Sequence, residues 1–157
     1  MIKLYHTSDL VVDRPDLLHS RNYLDFGKGF YLTHFREQAE KYGLRFLRRE
    51  REAWLNIYEF DFNEKDWNIR KFDSYDKEWL DFIGNCRSGN DKTVYDLIIG
   101  GIADDRVIRT LDRYFNGELK EQEALGLLKF ERPNIQYCIR SQKLIDECLI
   151  FTDSIKL

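Results

Sequence analysis

Leu24-Asp25-Phe26-Gly27-Lys28-Gly29-Phe30-Tyr31-Leu32-Thr33 sets two glycines, one residue apart, directly before a run of β-prone side chains. Glycine opens backbone conformations closed to other residues, so the pair predicts a tight turn. The aromatic and aliphatic residues after it predict a short strand over Phe30–Thr33. From His34 to Glu52 the apolar residues Phe35, Ala39, Tyr42, Phe46 and Leu47 recur at three- and four-residue steps. That is the period of an amphipathic helix, with Thr33 placed as its N-cap. Turn, strand and helix thus follow one another within thirty residues.

Outward from this core, Ile2–His6 reads as an opening strand and residues 9–25 as an irregular surface segment. Trp54–Phe62 alternates, with Trp54, Asn56, Tyr58, Phe60 and Phe62 on one side, and predicts a further strand. A short helix is expected over Glu78–Cys86, an apolar strand over Tyr95–Ile102, and a helix over Asp105–Phe115 capped by Asp104. Another short helix is expected at Gln122–Leu128, with closing strands at Gln136–Ile139 and Cys148–Thr152. Strands and helices do not alternate regularly. An α+β fold is expected, as a single domain over residues 1–157, and a doubly wound dinucleotide fold is not.

Composition supports an ordered chain. Eleven Phe, nine Tyr and three Trp make up 15% of 157 residues while Pro is only two, the reverse of a disordered composition. The formal charge of -3 disfavours a domain built mainly to neutralise phosphate backbones. Between Arg36 and Glu52 six basic residues stand among four acidic ones, which reads as a solvated helix with intrahelical pairs. Cys86, Cys138 and Cys148 are widely spaced and no metal-binding motif occurs, so no zinc site is expected. No leader-like segment opens the chain, and Leu97–Ala103 is far shorter than the ~20 residues that cross a bilayer. A cytoplasmic protein with reduced thiols and no membrane partner is expected.

The chemistry-bearing residues fall in three segments: Leu4-Tyr5-His6-Thr7-Ser8, the glycine-tyrosine stretch with Tyr42 beyond it, and Asn134-Ile135-Gln136-Tyr137-Cys138-Ile139. Singly, each has an ordinary structural explanation. His6 fits a hydrogen-bonded strand histidine, Gly27 and Gly29 a turn, and Tyr31 and Tyr42 core or rim aromatics.

Together, in this order, they resemble the ADP-ribosyltransferase superfamily, on the branch of poly(ADP-ribose) polymerases and diphtheria-type toxins. That branch carries a His on its first strand, a Phe-Gly-Lys-Gly-(Ile/Phe)-Tyr segment leading to a helix with a second Tyr, and a late strand with a catalytic Glu. Here these are His6-Thr7-Ser8, Phe26 to Tyr31 with Tyr42, and Gln136 at the place of that Glu. The chain is most similar to an uncharacterised bacterial family of this superfamily, domain of unknown function 3990. The similarity also runs through Tyr95-Asp96-Leu97-Ile98-Ile99-Gly100 and Ile102-Ala103-Asp104-Asp105.

The resemblance implies a split mixed/antiparallel β core flanked by helices and NAD⁺ as substrate. It implies Tyr31 and Tyr42 as faces for the nicotinamide ring, His6 at a ribose hydroxyl, and the Thr7 backbone on the carboxamide. The superfamily usually has Gly where Thr7 stands. Gly29 belongs to the same pocket, and Arg21 or Lys28 would meet the diphosphate. The catalytic set is then His6, Tyr31 and Gln136. Gln136 carries no charge, which argues against chain elongation and leaves transfer of one ADP-ribose to a protein or nucleic-acid acceptor. Asp104, Asp105, Glu131 and Glu147 are alternative acids. The resemblance further implies a toxin neutralised by a partner protein. A non-catalytic NAD⁺ or ADP-ribose binding module is the rival reading, favoured by Gln136.

Overall fold

Strand alternation sorts the apolar residues of this chain onto two sheets. The computed structural model describes residues 1–157. Its strands are β1 (Ile2–Ser8), β2 (Phe30–Leu32), β3 (Trp54–Phe60), β4 (Ile69–Lys71), β5 (Leu97–Ile102), β6 (Asn134–Ile139) and β7 (Leu149–Lys156). Its helices are α1 (Arg36–Leu47), α2 (Lys77–Ser88), α3 (Asp105–Phe115), α4 (Glu121–Leu128) and α5 (Gln142–Cys148). The first sheet is antiparallel, in the order β1-β3-β7. The second runs β2-β6-β5-β4 and is antiparallel except for the parallel pair β4–β5. This is an α+β domain with a split, mixed β core flanked by helices, as expected. No helix is long and apolar enough to cross a membrane.

Three apolar clusters fill the spaces between layers. Leu4, Tyr58 and Phe60 of the first sheet meet Leu32, Leu97 and Ile139 of the second, with Leu144 and Ile145 of α5 closing the end. The other face of the second sheet presents Ile98 and Cys138 to Trp79, Leu80, Ile83, Val107, Leu111 and Leu128 from α2, α3 and α4. The outer face of the first sheet packs Leu55 and Ile57 against Ala39 of α1. Each fully buried large side chain contributes roughly 1.5–3 kcal/mol. Polar atoms in these layers are paired: Trp79 Nε1 donates to the Gly101 carbonyl at 2.7 Å. The Tyr75 hydroxyl donates to the Ile102 carbonyl and accepts from Asn134 N–H, pinning β5 to β6.

The sequence-based expectations meet the structure at most elements. Asp104 caps α3 by accepting from the N–H groups of Arg106 and Val107. Two differences carry a physical reason. Thr33 is not the N-cap of α1. Its N–H and C=O pair with Tyr5, which holds it extended, so the helix starts at Arg36 with Phe35 as cap residue. The hydroxyl of Thr33 instead accepts from Phe35 N–H and donates to Gln38. The helix also ends at Leu47, short of Glu52, because Glu50 turns into the left-handed region and Arg51 N–H returns to the Phe46 carbonyl. Strand β4 and helix α5 were not expected from pattern; β7 extends to Lys156.

The Gly-Lys-Gly turn is fixed by space and by conformation. Gly27 sits at φ +73, where an L side chain is strained. A Cβ on Gly29 would stand 2.4 Å from Cys138 Sγ and 2.9 Å from the Ile139 carbonyl oxygen. Gly29→Ala is therefore expected to cost about 1–3 kcal/mol of stability through overpacking. A urea midpoint shifted down with unchanged slope is the outcome that checks it.

Candidate functional site

The two sheets meet edge to edge at one place. Beyond its partner β3, β1 exposes the backbone of its odd-numbered residues. Tyr5 there exchanges both hydrogen bonds with Thr33, at 2.8 and 3.0 Å, just past the end of β2. One residue on, His6 Nδ1 lies 2.8 Å from the Tyr31 carbonyl oxygen. A carbonyl can only accept, so Nδ1 carries the proton. Burial lowers the pKa of His6 below its ordinary value, the backbone bond opposing it, so the ring is neutral near pH 7. Its Nε2 is then a lone-pair acceptor. No protein group bonds to it, and His6 is only partly buried. The Phe30 ring, 4.4 Å away, sets the orientation of the imidazole.

Strand alternation places the N–H and C=O of Thr7 on the same outer edge as those of Tyr5. They lie beyond the Thr33 bridge, and neither takes a backbone partner there. The Thr7 side chain points the other way. Its hydroxyl donates to the Ala39 carbonyl at 2.6 Å, and its methyl lies against Gly43 of α1. The β-carbon that distinguishes Thr7 from glycine is therefore absorbed by the helix and leaves the edge open.

Tyr31 lies opposite Cys138 on the face of the second sheet that packs on α2, α3 and α4. Its hydroxyl donates to the Gly27 carbonyl at 2.6 Å and accepts from Phe26 N–H at 3.1 Å. Burial raises its pKa far above the ordinary phenol value. Gln136 stands two residues from Cys138 on the same strand face, a diagonal neighbour of Tyr31 at about 7–8 Å between α-carbons. Its amide makes no side-chain hydrogen bond within the protein and is partly exposed. Tyr42 lies in a different layer, on α1, 41% exposed, with the Arg45 guanidinium 4.9 Å over its ring. Tyr31 and Tyr42 make no ring contact with each other. The structure thus joins His6, Thr7 and the Tyr31 backbone at the seam, places Gln136 beside Tyr31, and sets Tyr42 on the flanking helix.

The remaining candidates are distributed around this seam. Gly29 is buried, its N–H and C=O both bonded to the Ser20 hydroxyl, at 2.9 and 2.8 Å. Arg21 and Lys28 are exposed and form no ion pair. Lys28 lines an open cleft of about 560 Å³ with Arg14, Asp16, Gln142 and Asp146. A second cleft of about 330 Å³ includes Tyr75, Lys77 and Glu131. Neither includes His6, Tyr31, Tyr42 or Gln136. The Asp104 carboxylate is engaged as the α3 cap, Asp105 follows it in the first turn, and Glu147 faces Lys143 at 3.8 Å. No three His, Cys, Asp or Glu residues converge as metal ligands.

Three supporting groups have no local signal in the sequence. Asp25 accepts from Nε and an Nη of Arg87 and, through its other oxygen, from Ala103 N–H at 3.0 Å. It thereby ties the glycine turn to the end of α2 and the end of β5. Arg140 is held by Asp91 and Thr93 just past β6. Cys86 and Cys138 lie against the same turn, their thiols pushed up to about 12 by burial, and are unreactive there.

A family model described as "Protein of unknown function (DUF3990)" matches residues 2–151, which include every residue of this seam. No curated protein and no solved structure matches the chain.

The lowered pKa of His6 has a consequence for stability. Where the folded pKa lies below the unfolded one, the unfolded chain binds more protons between the two values, so stability falls as pH drops through about 6.5. His6→Asn keeps a donor near the Nδ1 position and cannot titrate. Between pH 7.5 and 5 its unfolding free energy is expected to be flatter than wild type, by at most about 1.4 kcal/mol per pH unit. Chemical denaturation at stepped pH is the measurement.

Proposed function

The chain belongs to the DUF3990 family, and from that premise we propose that it binds NAD⁺ at the β1–β2 seam, releases nicotinamide and transfers a single ADP-ribose to a macromolecular acceptor. The resemblance to ADP-ribosyltransferases supplies the substrate. The observation that carries the reading is the pairing of a neutral His6, Nε2 free, with the unpaired backbone edge of Thr7 beside it.

Each element has a chemical counterpart in NAD⁺. A carboxamide is one donor group and one acceptor, and the Thr7 N–H and C=O offer the complement. The Nε2 lone pair of His6 accepts from a ribose hydroxyl. Tyr42 provides an exposed aromatic face for the cationic nicotinamide ring. Tyr31, its hydroxyl committed to Phe26 and Gly27, serves as a fixed wall and holds the turn carrying Gly29 and Lys28. Arg21 and Lys28 are the free cations available to the diphosphate. In the reaction the ribose C1′–nitrogen bond breaks and its electron pair leaves with neutral nicotinamide. An oxygen or nitrogen of the acceptor then bonds C1′ and gives its proton to solvent. Gln136 orients a ribose hydroxyl through its amide and adds no charge, which suits transfer of one unit. A neutralising protein partner, as the resemblance implies, belongs to the same proposal.

The uncharged Gln136 favours a second reading, a module that binds NAD⁺ or ADP-ribose without cleaving it. Nicotinamide release on incubation with NAD⁺ and cell lysate, together with a label on a macromolecule, supports transfer. Binding without release supports the module.

Calorimetry with NAD⁺ checks the site under either reading. Tyr42→Ala removes an exposed ring and is expected to weaken binding about tenfold, the scale of a lost stacked cation–π contact, while Tyr42→Phe retains it. His6→Ala is expected to abolish measurable binding. Wild-type affinity in both alanine variants would overturn the site. Gln136→Glu is expected to raise nicotinamide release; no change would place C1′ elsewhere.

A further inference from the structure

We propose that the outward side of α1 and the turn after it bind a single-stranded nucleic acid. Ala39 and Gly43 turn the opposite side of this helix onto β1 and β3. The row Lys41, Arg45, Arg48, at steps of four and three residues, faces solvent, and Arg49 follows it. The intrahelical pairing expected of this segment is present in Arg36 with Glu40, and Arg51 pairs across to Asp9, but Lys41, Arg45, Arg48 and Arg49 form no ion pair. Against them stand two unpaired carboxylates, Glu37 and Glu50, since Glu52 is taken by Lys156. In a chain of net charge -3 this is a local excess of free cations, complementary to a polyanion.

The flank of the helix between this row and the buried side carries aromatic faces. Phe35 is 50% exposed and Tyr42 41%, with the Arg45 guanidinium over the Tyr42 ring. Arg51 lies over Phe46, and His34 sits against Phe35 at 3.8 Å between ring centroids. Exposed rings interleaved with guanidinium groups are the surface on which unstacked bases lie, cations tracking the phosphates between them. A duplex, whose bases are already stacked, has no use for the ring faces. The strand would pass beside Tyr42. Its role as the acceptor of ADP-ribose rests on the NAD⁺ reading; its binding does not.

Fluorescence anisotropy of the full chain with labelled oligouridylate and oligothymidylate of about twelve nucleotides, and with a duplex of similar length, tests the proposal. Both single strands are the probes because RNA and DNA share the phosphate–base chemistry, and the tighter of the two identifies the source. Single-strand binding that weakens with salt, and exceeds duplex binding, is expected. Lys41→Glu/Arg48→Glu/Arg49→Glu is expected to lose about tenfold or more in affinity and about 2 in the log–log salt slope. Phe35→Ala is expected to lose about fivefold or more with the slope kept. Neither variant should change NAD⁺ affinity by calorimetry, which also reports that it is folded. Equal binding by the triple variant, equal binding of the duplex, or binding of polyglutamate in place of either strand would overturn the proposal. Absence of oligonucleotide binding by the unsubstituted chain, with its NAD⁺ binding intact, overturns this inference alone, and the converse result overturns only the NAD⁺ reading.

Discussion

The joint between Tyr5 and Thr33, extended by His6 onto the Tyr31 carbonyl, is the one place where the two sheets share backbone hydrogen bonds. Elsewhere they face each other through side chains, which fix distance loosely and register hardly at all. A bridge of a single residue pair is short because β2 has only three residues and the chain then turns into α1. The rest of the β1 edge, at Thr7, is left unpaired. An unpaired edge carries unsatisfied backbone groups and is a liability in most folds. Here it adjoins a neutral imidazole with a free acceptor nitrogen. Backbone donor, backbone acceptor and side-chain acceptor converge because the seam stops where it does.

The glycine turn that feeds β2 is over-determined. The Ser20 hydroxyl bonds Gly29 from both sides, Tyr31 reaches back to Phe26 and Gly27, and Asp25 binds Arg87 and the end of β5. Net energies for such bonds are about 1 kcal/mol each, more for the charged pair. Their number fixes the turn more firmly than any one of them could. Tyr31 shows the consequence. Its side chain is spent on holding the turn, and its contribution to the seam is its carbonyl. A tyrosine in a motif can serve through its backbone and its packing as well as through its ring.

Much of this was legible in the sequence. The period of Phe35, Ala39, Tyr42 and Phe46 gave α1, the alternation from Trp54 gave β3, and Asp104 announced α3. These signals are local, each carried by a side chain acting within a few residues. Strand β4 carries Arg70 and Lys71 on three residues and exists through parallel pairing with β5, which no local pattern records. Helix α5 is two turns long, below the length at which periodicity is readable, although Ser141 caps it. The start of α1 was misplaced because Thr33 looks like a cap and is instead pinned by Tyr5, twenty-eight positions away. At the seam the residue types could be read, but not that Thr7 turns its side chain into α1. Asp25 and Arg87 lie 62 residues apart and find each other only in the folded chain.

Gln136 is best understood from its surroundings. It faces Gly100 across the β5–β6 ladder, with Cys138 and Tyr31 along the same sheet face, and none of these offers a positive charge. A carboxylate here would find no positively charged partner among these neighbours. An amide needs no such partner and keeps both a donor and an acceptor. Two acids of the surrounding elements are already engaged. Asp104 holds the first turn of α3, and Asp25 is neutralised by Arg87. Under the transfer proposed above, positive charge developing at a ribose carbon on this face would meet a neutral dipole, the Gln136 amide oxygen, in place of a carboxylate. An amide dipole stabilises such charge less than a carboxylate does. A site of that kind suits one slow transfer to a positioned acceptor, where binding of the acceptor does much of the orienting.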